Sequence, residues 1–314
     1  MPTLQEIALK TAGVDARIVS GHRMCAGCGI PVVVKDVLAA SDKPVIVLNA
    51  TGCLEVTTAV YPFTAWNTPW MHLTFENAAA VAAGVEAAYK SLKRRGKIDS
   101  DVNILAVGGD GGTYDIGFQA LSGALERQHK FMYLVYDNEG YMNTGNQRSG
   151  ATPFGASTST VPAGKVSTGK PQWRKNLVEI AAAHRIPYVG QSAVHNTLDI
   201  YKKAQKGFNA DGPAVLAVLQ PCTTNWSYDA ALTMQYSKLA VETNFWPLYE
   251  IENGVVHITT KPANRKPIEE FLKGQTRFKH LFRPENQHVI VEMQKMIDDE
   301  WARLLKLEET GIQF

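Results

Sequence analysis

The sequence predicts an α/β protein built on a mostly parallel sheet with helices on both faces. Three observations carry that reading. Short apolar runs at 44–48, 102–107, 131–136 and 214–219 alternate with stretches of helical apolar spacing. The run at 102–107 opens directly into Gly108-Gly109-Asp110-Gly111-Gly112, a loop able to turn sharply at a strand end. The run at 131–136 ends in Asp137-Asn138-Glu139-Gly140. Residues 112–136, 25 in all, lie between Gly111 and Asp137, enough for one helix and one returning strand. That return would bring Asn138 beside Asp110 at one edge of a parallel sheet.

The elements follow in order. Residues 1–20 are polar and mixed, an arm for packing on the body or a partner. A short helix is predicted over 32–40 and the first core strand over 44–48. The segment 61–75 holds Tyr61, Phe63, Trp66, Trp70 and Phe75, a density that suits a core or a subunit interface. A helix over 76–95 would carry Glu76 in its first turn and Lys93-Arg94-Arg95 at its end, the signs a helix dipole favours. After the strand at 102–107, a crossover helix over 118–128 leads to the strand at 131–136, with the right-handed sense such connections have. Residues 139–172 are rich in Gly, Ser, Thr and Pro and start at Asn138, so they are expected to wall a site. Trimming 155–168 should then impair turnover far more than folding.

A helix over 177–184, a strand at 188–189, a helix over 196–208 and the strand at 214–219 complete the body, and the last of these delivers Cys222. His184 and His195, each near a helix end, read as structural. Beyond residue 225 the pattern changes, with a hairpin expected at Asn253-Gly254 and a charged helix over 289–307. The expected division is a domain over 1–225 and an extension over 226–314 that packs on it or on partner subunits.

The chain of 314 residues is 45 % apolar and 20 % charged, as in a soluble globular protein. A net charge of +2 and the lack of a basic stripe argue against nucleic acid as a partner. The N-terminus shows no charged-then-apolar leader, and the alanine-rich segment 78–88 carries Glu86, which suits a buried helix and not a membrane span. The cytoplasm is the expected compartment.

Asp110 needs its own explanation. A bare carboxylate repels phosphate, but a divalent metal between the two turns repulsion into attraction, and Mg²⁺ commonly joins a carboxylate to substrate phosphates. The competing reading is a Gly-rich turn whose aspartate caps the next helix. The cysteines form a second constellation, Cys25-Ala26-Gly27-Cys28 plus the distant Cys53 and Cys222. A redox CxxC pair, a structural zinc site and an iron–sulfur cluster all remain open. One pair plus two singles, using every cysteine in the chain, favours the cluster.

Gly109-Asp110-Gly111, followed after 25 residues by the Asp137-Asn138 pair, resembles the thiamine diphosphate-binding motif, with Asp137 where the motif often has an asparagine. The resemblance widens over residues 20–225. Gly21-His22-Arg23-Met24-Cys25-Ala26-Gly27-Cys28-Gly29, Asn49-Ala50-Thr51-Gly52-Cys53-Leu54-Glu55-Val56, Phe75-Glu76-Asn77-Ala78-Ala79, Tyr141-Met142-Asn143-Thr144-Gly145-Asn146-Gln147-Arg148, the run 183–189 and Pro221-Cys222 are similar to the β subunit of 2-oxoacid:ferredoxin oxidoreductases.

The resemblance implies a thiamine-diphosphate-binding fold. In it Asp110, the Asn138 side chain and the Gly140 carbonyl hold Mg²⁺, and Gly52, Gly109, Gly111 and Thr144 lie against the cofactor. It also implies one [4Fe-4S] cluster on Cys25, Cys28, Cys53 and Cys222, and Asn143 as a catalytic residue beside the thiazolium. Where single-chain pyruvate enzymes of the family carry an acidic residue after CxxCG, this chain has Ile30. Among multi-subunit members the chain resembles most those that act on oxalate, so oxalate is the favoured substrate and pyruvate or another 2-oxoacid the alternative. A non-redox thiamine-dependent decarboxylase subunit with structural zinc is a remoter one. The glutamate that thiamine enzymes set against the aminopyrimidine ring comes from another domain or chain. The implied partners are therefore a pyrimidine-binding, substrate-binding subunit, a ferredoxin-like cluster subunit, and ferredoxin itself.

Overall fold

The predicted apolar runs become strands of one eight-stranded sheet in the computed structural model, which describes residues 3–12 and 16–314. β1 (Val45–Ala50), β2 (Trp70–Leu73), β3 (Asn103–Gly109), β4 (Met132–Asp137), β5 (Tyr188–Ala193) and β6 (Ala214–Leu219) are parallel. β7 (Leu248–Glu252) and β8 (Val255–Thr260) join antiparallel beyond β5. The order is β2-β1-β3-β4-β6-β5-β7-β8.

The strands read as unbroken apolar runs because both faces are covered. Along β4, Tyr133 and Val135 enter one core, while Met132, Leu134 and Tyr136 enter the other. Helices Ala78–Arg94 and Phe118–Glu126 close the first face, and Ile30–Ala39 and Thr197–Asn209 close the second. The predicted helix start at 196 is an N-cap, since the Asn196 side chain accepts from the Asp199 N–H. The hairpin also stands as expected: Asn253 (φ 49°) and Gly254 (φ 84°) are both left-handed, as a two-residue turn of this twist requires.

Several expectations need correction. The helix predicted over 76–95 starts at Ala78, so Glu76 precedes it and is no first-turn acid, while Lys93 and Arg94 do occupy its last turn. The aromatic segment 61–75 is not all loop, because Trp70–Leu73 pairs with β1 as the edge strand β2. Its aromatics also divide: Trp66 is buried and stacks on Trp70 at 5.8 Å, whereas Tyr61 and Phe63 are 95 % and 77 % exposed. The N-terminal arm carries a helix, Leu4–Ala12, and the segment after Cys222 another, Thr233–Glu242.

The segment 139–172 has no helix or strand, yet much of it is core. Ala151, Phe154 and Ala156 are buried, and Gly155 lies against Leu281 and Val289. Trimming 155–168 would therefore remove buried residues as well, which makes damage to folding the expected outcome; within that stretch the exposed residues are Ser159, Thr160, Pro162 and 164–166. The chain after residue 225 adds β7 and β8 to the same sheet.

The chain leaves β1 toward β2 on one side and re-enters at β3 on the other. Such a reversal opens a crevice at the carboxyl ends of the strands, the usual ligand position in an open α/β sheet.

Candidate active site

A cavity of about 230 Å³ occupies that crevice, lined by residues 51–53, Phe75, residues 109–112, Tyr136, Asn138 and residues 140–144. The three strand ends explain its membership. β1 runs into the short helix Cys53–Thr58, β3 into a wide helical turn over Gly111–Ile116, and β4 into Asn138. Registry of Gly109 with Tyr136 sets Asp110 and Asn138 side by side, as the spacing predicted. Wide turns of this type recur at functional sites. Two glycines are required by space: a Cβ on Gly111 would overlap the Tyr141 ring, and one on Gly52 would strike the Tyr136 hydroxyl.

Asp110 is buried, and Ser149 Oγ donates to its Oδ2. The Asn138 amide has one polar atom 2.9 Å from Asp110 Oδ1 and 3.1 Å from the Gly140 carbonyl oxygen. With nitrogen there, the amide donates to both. With oxygen there, three oxygens face one another with no proton between them, at the ~3 Å spacing that adjacent ligands have in a Mg²⁺ octahedron.

The electrostatics fit a cation. Asp137 and Glu139 are buried against the guanidiniums of Arg174 and Arg277, while Asp110, buried beside them, forms no ion pair among the described residues. Burial, and after it the Asp137 charge, pushes the Asp110 carboxyl well above the usual carboxylate range. A divalent ion on Oδ1 would reverse that push. Asp137 itself is taken up by Arg174 (2.7 Å) and the Tyr114 hydroxyl (2.8 Å). That is why an aspartate can stand where the motif often has asparagine. No three His, Cys, Asp or Glu side chains group as ligands of one ion among the described residues, and this corner supplies one carboxylate, one amide and one carbonyl instead.

Of the four cysteines, Cys53 lines the cavity and Cys222 lines the neighbouring hollow with Met142, Asn225 and Arg277, while Cys25 and Cys28 lie on the loop tied to the segment that carries Cys222. All are free thiols, Cys25 exposed and the others half-buried. Cys28 senses Cys222 and Cys25, and Cys53 senses all three others. Burial pushes the Cys28 and Cys53 thiols up to about 12, so their protons leave only in exchange for a metal's charge. The CxxC loop is tied to the segment after β6: Thr223 donates to the Ala26 carbonyl (3.2 Å) and Thr233 to the Gly27 carbonyl (2.6 Å). Gly27, at φ 72°, is pressed against the Ala230 backbone. Thiols that act on one another's charge are the ligand type an iron–sulfur cluster takes, although no three of them group as ligands of one ion among the described residues. Ile30, which stands in the departing position, is buried at the start of its helix and faces the core.

Asn143 joins the two regions. It is exposed to the cavity, and the Cys53 thiol donates to its Oδ1 at 3.8 Å. Thr144 lines the same wall, its hydroxyl engaged by Gln147. His184 bonds Ser122 and the Ile180 carbonyl, and His195 bonds Ser237, both away from the cavity. Sequence reasoning missed Ser149, which directly follows the run ending at Arg148, and Arg174 and Arg277, which have no motif around them. Glu139 stood inside a motif and was passed over because motifs name ligands and not the residue between two ligands.

Comparison with known proteins agrees with this geometry. Residues 50–218 match the thiamine pyrophosphate enzyme, C-terminal TPP binding domain. The chain is 51 % identical to the pyruvate synthase subunit PorB of Thermotoga maritima, over 98 % of this chain and 96 % of that one. It belongs to the β-subunit family of the 2-oxoacid:ferredoxin oxidoreductases. The Pyrococcus furiosus pyruvate synthase subunit PorB is 46 % identical (90 % of this chain, 92 % of that one). The ketoisovalerate oxidoreductase subunit VorB of Pyrococcus abyssi is 39 % identical (95 % and 96 %). The solved structure of 2-oxoglutarate:ferredoxin oxidoreductase from Magnetococcus marinus, with 2-oxoglutarate, coenzyme A and succinyl-CoA bound, superposes with a TM-score of 0.56 at 18 % identity. It covers 88 % of this chain and 94 % of its own, a likeness of fold. These family relatives are named for pyruvate and ketoisovalerate, so they favour the alternative substrate over the expected oxalate. No helix among the described residues is long and apolar enough to cross a membrane.

Proposed function

We propose that this chain is the thiamine-binding, electron-relaying subunit of a pyruvate:ferredoxin oxidoreductase. The observation that carries the reading is the link between the two regions: one asparagine, Asn143, lines the cavity floored by Asp110 and touches Cys53 of the cysteine set. Thiamine diphosphate, when bound, supplies the nucleophilic carbon and electron sink that decarboxylation of a 2-oxoacid needs, and a [4Fe-4S] cluster takes electrons one at a time. Asp110, Asn138 and Gly140 would hold Mg²⁺ and, through it, the diphosphate. Gly52, Gly109 and Gly111 leave room for the cofactor, and Thr144 closes the wall beside Asn143. Cys25, Cys28, Cys53 and Cys222 would hold the cluster. The Asn143 amide can donate to the substrate oxygen on which charge develops, the task of an oxyanion donor. Phe75 and Met142 keep water from the same space.

Partner subunits complete the site, one bringing the glutamate for the aminopyrimidine ring and cations for the substrate carboxylate, another carrying further clusters toward ferredoxin. Coenzyme A is the acyl acceptor in this reading. Half-buried reduced thiols suit a reducing compartment, the cytoplasm. The test is CO₂ release coupled to ferredoxin reduction by the anaerobically purified complex, with pyruvate, 2-ketoisovalerate and oxalate compared at equal concentration. Pyruvate should give the highest kcat/KM and require coenzyme A. Turnover of oxalate alone would overturn the substrate, and about four irons and four sulfides per chain in the isolated subunit are expected for one cluster.

A further inference from the structure

Asn138 and Gly140 flank Glu139, whose side chain is fully buried and whose φ of 68° is rare for a residue with a side chain. At that left-handed kink the Asn138 amide lies between Asp110 Oδ1 at 2.9 Å and the Gly140 carbonyl oxygen at 3.1 Å. Two guanidiniums grip the carboxylate at its centre. Arg174 Nη1 donates to Oε1 at 3.1 Å, and Arg277 Nη1 lies 2.7 Å from Oε2. Each arginine is itself stacked on a tryptophan, Arg174 over Trp246 at 4.2 Å and Arg277 over Trp226 at 3.7 Å. Trp226 Nε1 in turn donates to the Asn138 carbonyl (3.1 Å), and Thr152 Oγ1 donates to the Glu139 carbonyl (2.7 Å). None of this machinery faces the cavity.

We infer that Glu139 is a positioning residue for the metal, held by Arg174 and Arg277 so that the kink presents both neighbouring ligands to one ion. The inference rests on the reading of Asp110, Asn138 and Gly140 as a Mg²⁺ site. It makes Arg277, from the chain beyond β6, part of that site although it touches no ligand. The cost of holding a side chain in a left-handed conformation is met by the two ion pairs, and a buried carboxylate flanked by two fixed guanidiniums cannot swing away.

The test uses the purified complex stripped of metal, with Mn²⁺ as the probe in the presence of thiamine diphosphate and binding read by electron paramagnetic resonance. Wild type should bind one Mn²⁺ per chain, and Asp110→Asn should not; if wild type fails to bind, the metal reading itself falls, independently of Glu139. Given that baseline, Glu139→Gln should weaken Mn²⁺ at least 10-fold and raise the Mg²⁺ activation constant, while kcat at saturating Mg²⁺ changes less than 3-fold. Arg277→Lys should recover part of the affinity that Arg277→Met loses. Removing both charges together, in Glu139→Gln with Arg277→Met, leaves no unpaired buried ion and keeps the fold testable. A folded double variant that binds Mn²⁺ as tightly as wild type would overturn the assignment.

Discussion

The corner around Asp110 and the cysteine-bearing loops meet at Cys53, yet they are built differently. Asp110 and Asn138 follow two adjacent central strands, and the groups around them are held inside the fold by hydrogen bonds from Ser149, Thr152 and Arg174 and by the ion pair of Arg277 with Glu139. The cysteines come from three separate turns, and Cys25 is exposed. Their ties are a few hydroxyl-to-carbonyl bonds and the Asn225 N–H on Cys222 Sγ at 3.4 Å. A corner of the first kind is shaped before its ion arrives. Loops of the second kind gain much of their order from what they bind, because metal binding and local folding are linked. The two should therefore fail independently, and in one direction.

The largest effect tests the corner. Asp110→Asn should abolish thiamine diphosphate binding in calorimetry and lower pyruvate oxidation beyond the roughly 10- to 100-fold typical of changes outside a metal's own ligands. Cys53→Ser comes next. Iron per chain and ferredoxin reduction should collapse, while thiamine diphosphate affinity stays within about 3-fold; a matching loss of cofactor affinity would break the comparison. Asn143→Ala, at the junction, should lower kcat by about 10²-fold with iron content and cofactor affinity unchanged, as for a lost oxyanion donor.

The smallest effect concerns the scaffold beneath the cysteine loops. Asp36 lies on the helix that follows Cys28, buried and with Oδ2 unpartnered, and burial raises its carboxyl to about 7 from an ordinary 3.8. The folded chain therefore holds this proton more tightly than the unfolded chain. The contribution is full below pH about 4 and is lost as pH rises toward 7, a change on the order of a few kcal/mol. The unfolding midpoint should fall between about pH 4 and pH 7 in the wild type and much less in Asp36→Asn. Equal slopes would remove Asp36 as the cause.

Legibility followed the same division. Asp110, Asn138 and Gly140 could be read because a strand, a loop of glycines and a fixed return length leave one way to bring them together. The cysteines were read as a set from their count alone, and only the fold brings Cys53 within reach of the charges of Cys25, Cys28 and Cys222. Ser149, Arg174 and Arg277 could not be read. They lie in segments without periodicity, and their partners are tens to more than a hundred residues away. The edge strand β2 was hidden for a related reason, since four residues beside prolines carry too little pattern to show pairing with β1. The substrate was not legible: oxalate was favoured over pyruvate, and the relatives, named for pyruvate and ketoisovalerate, favour the alternative.

By itself the sequence determined the parallel α/β sheet and the hairpin at Asn253-Gly254, because periodicity and turn stereochemistry are local properties. Only the tertiary structure decided how charge is balanced around Asp110. Burial and ion pairing depend on which distant arginines arrive at the same place, and no window of sequence contains both partners.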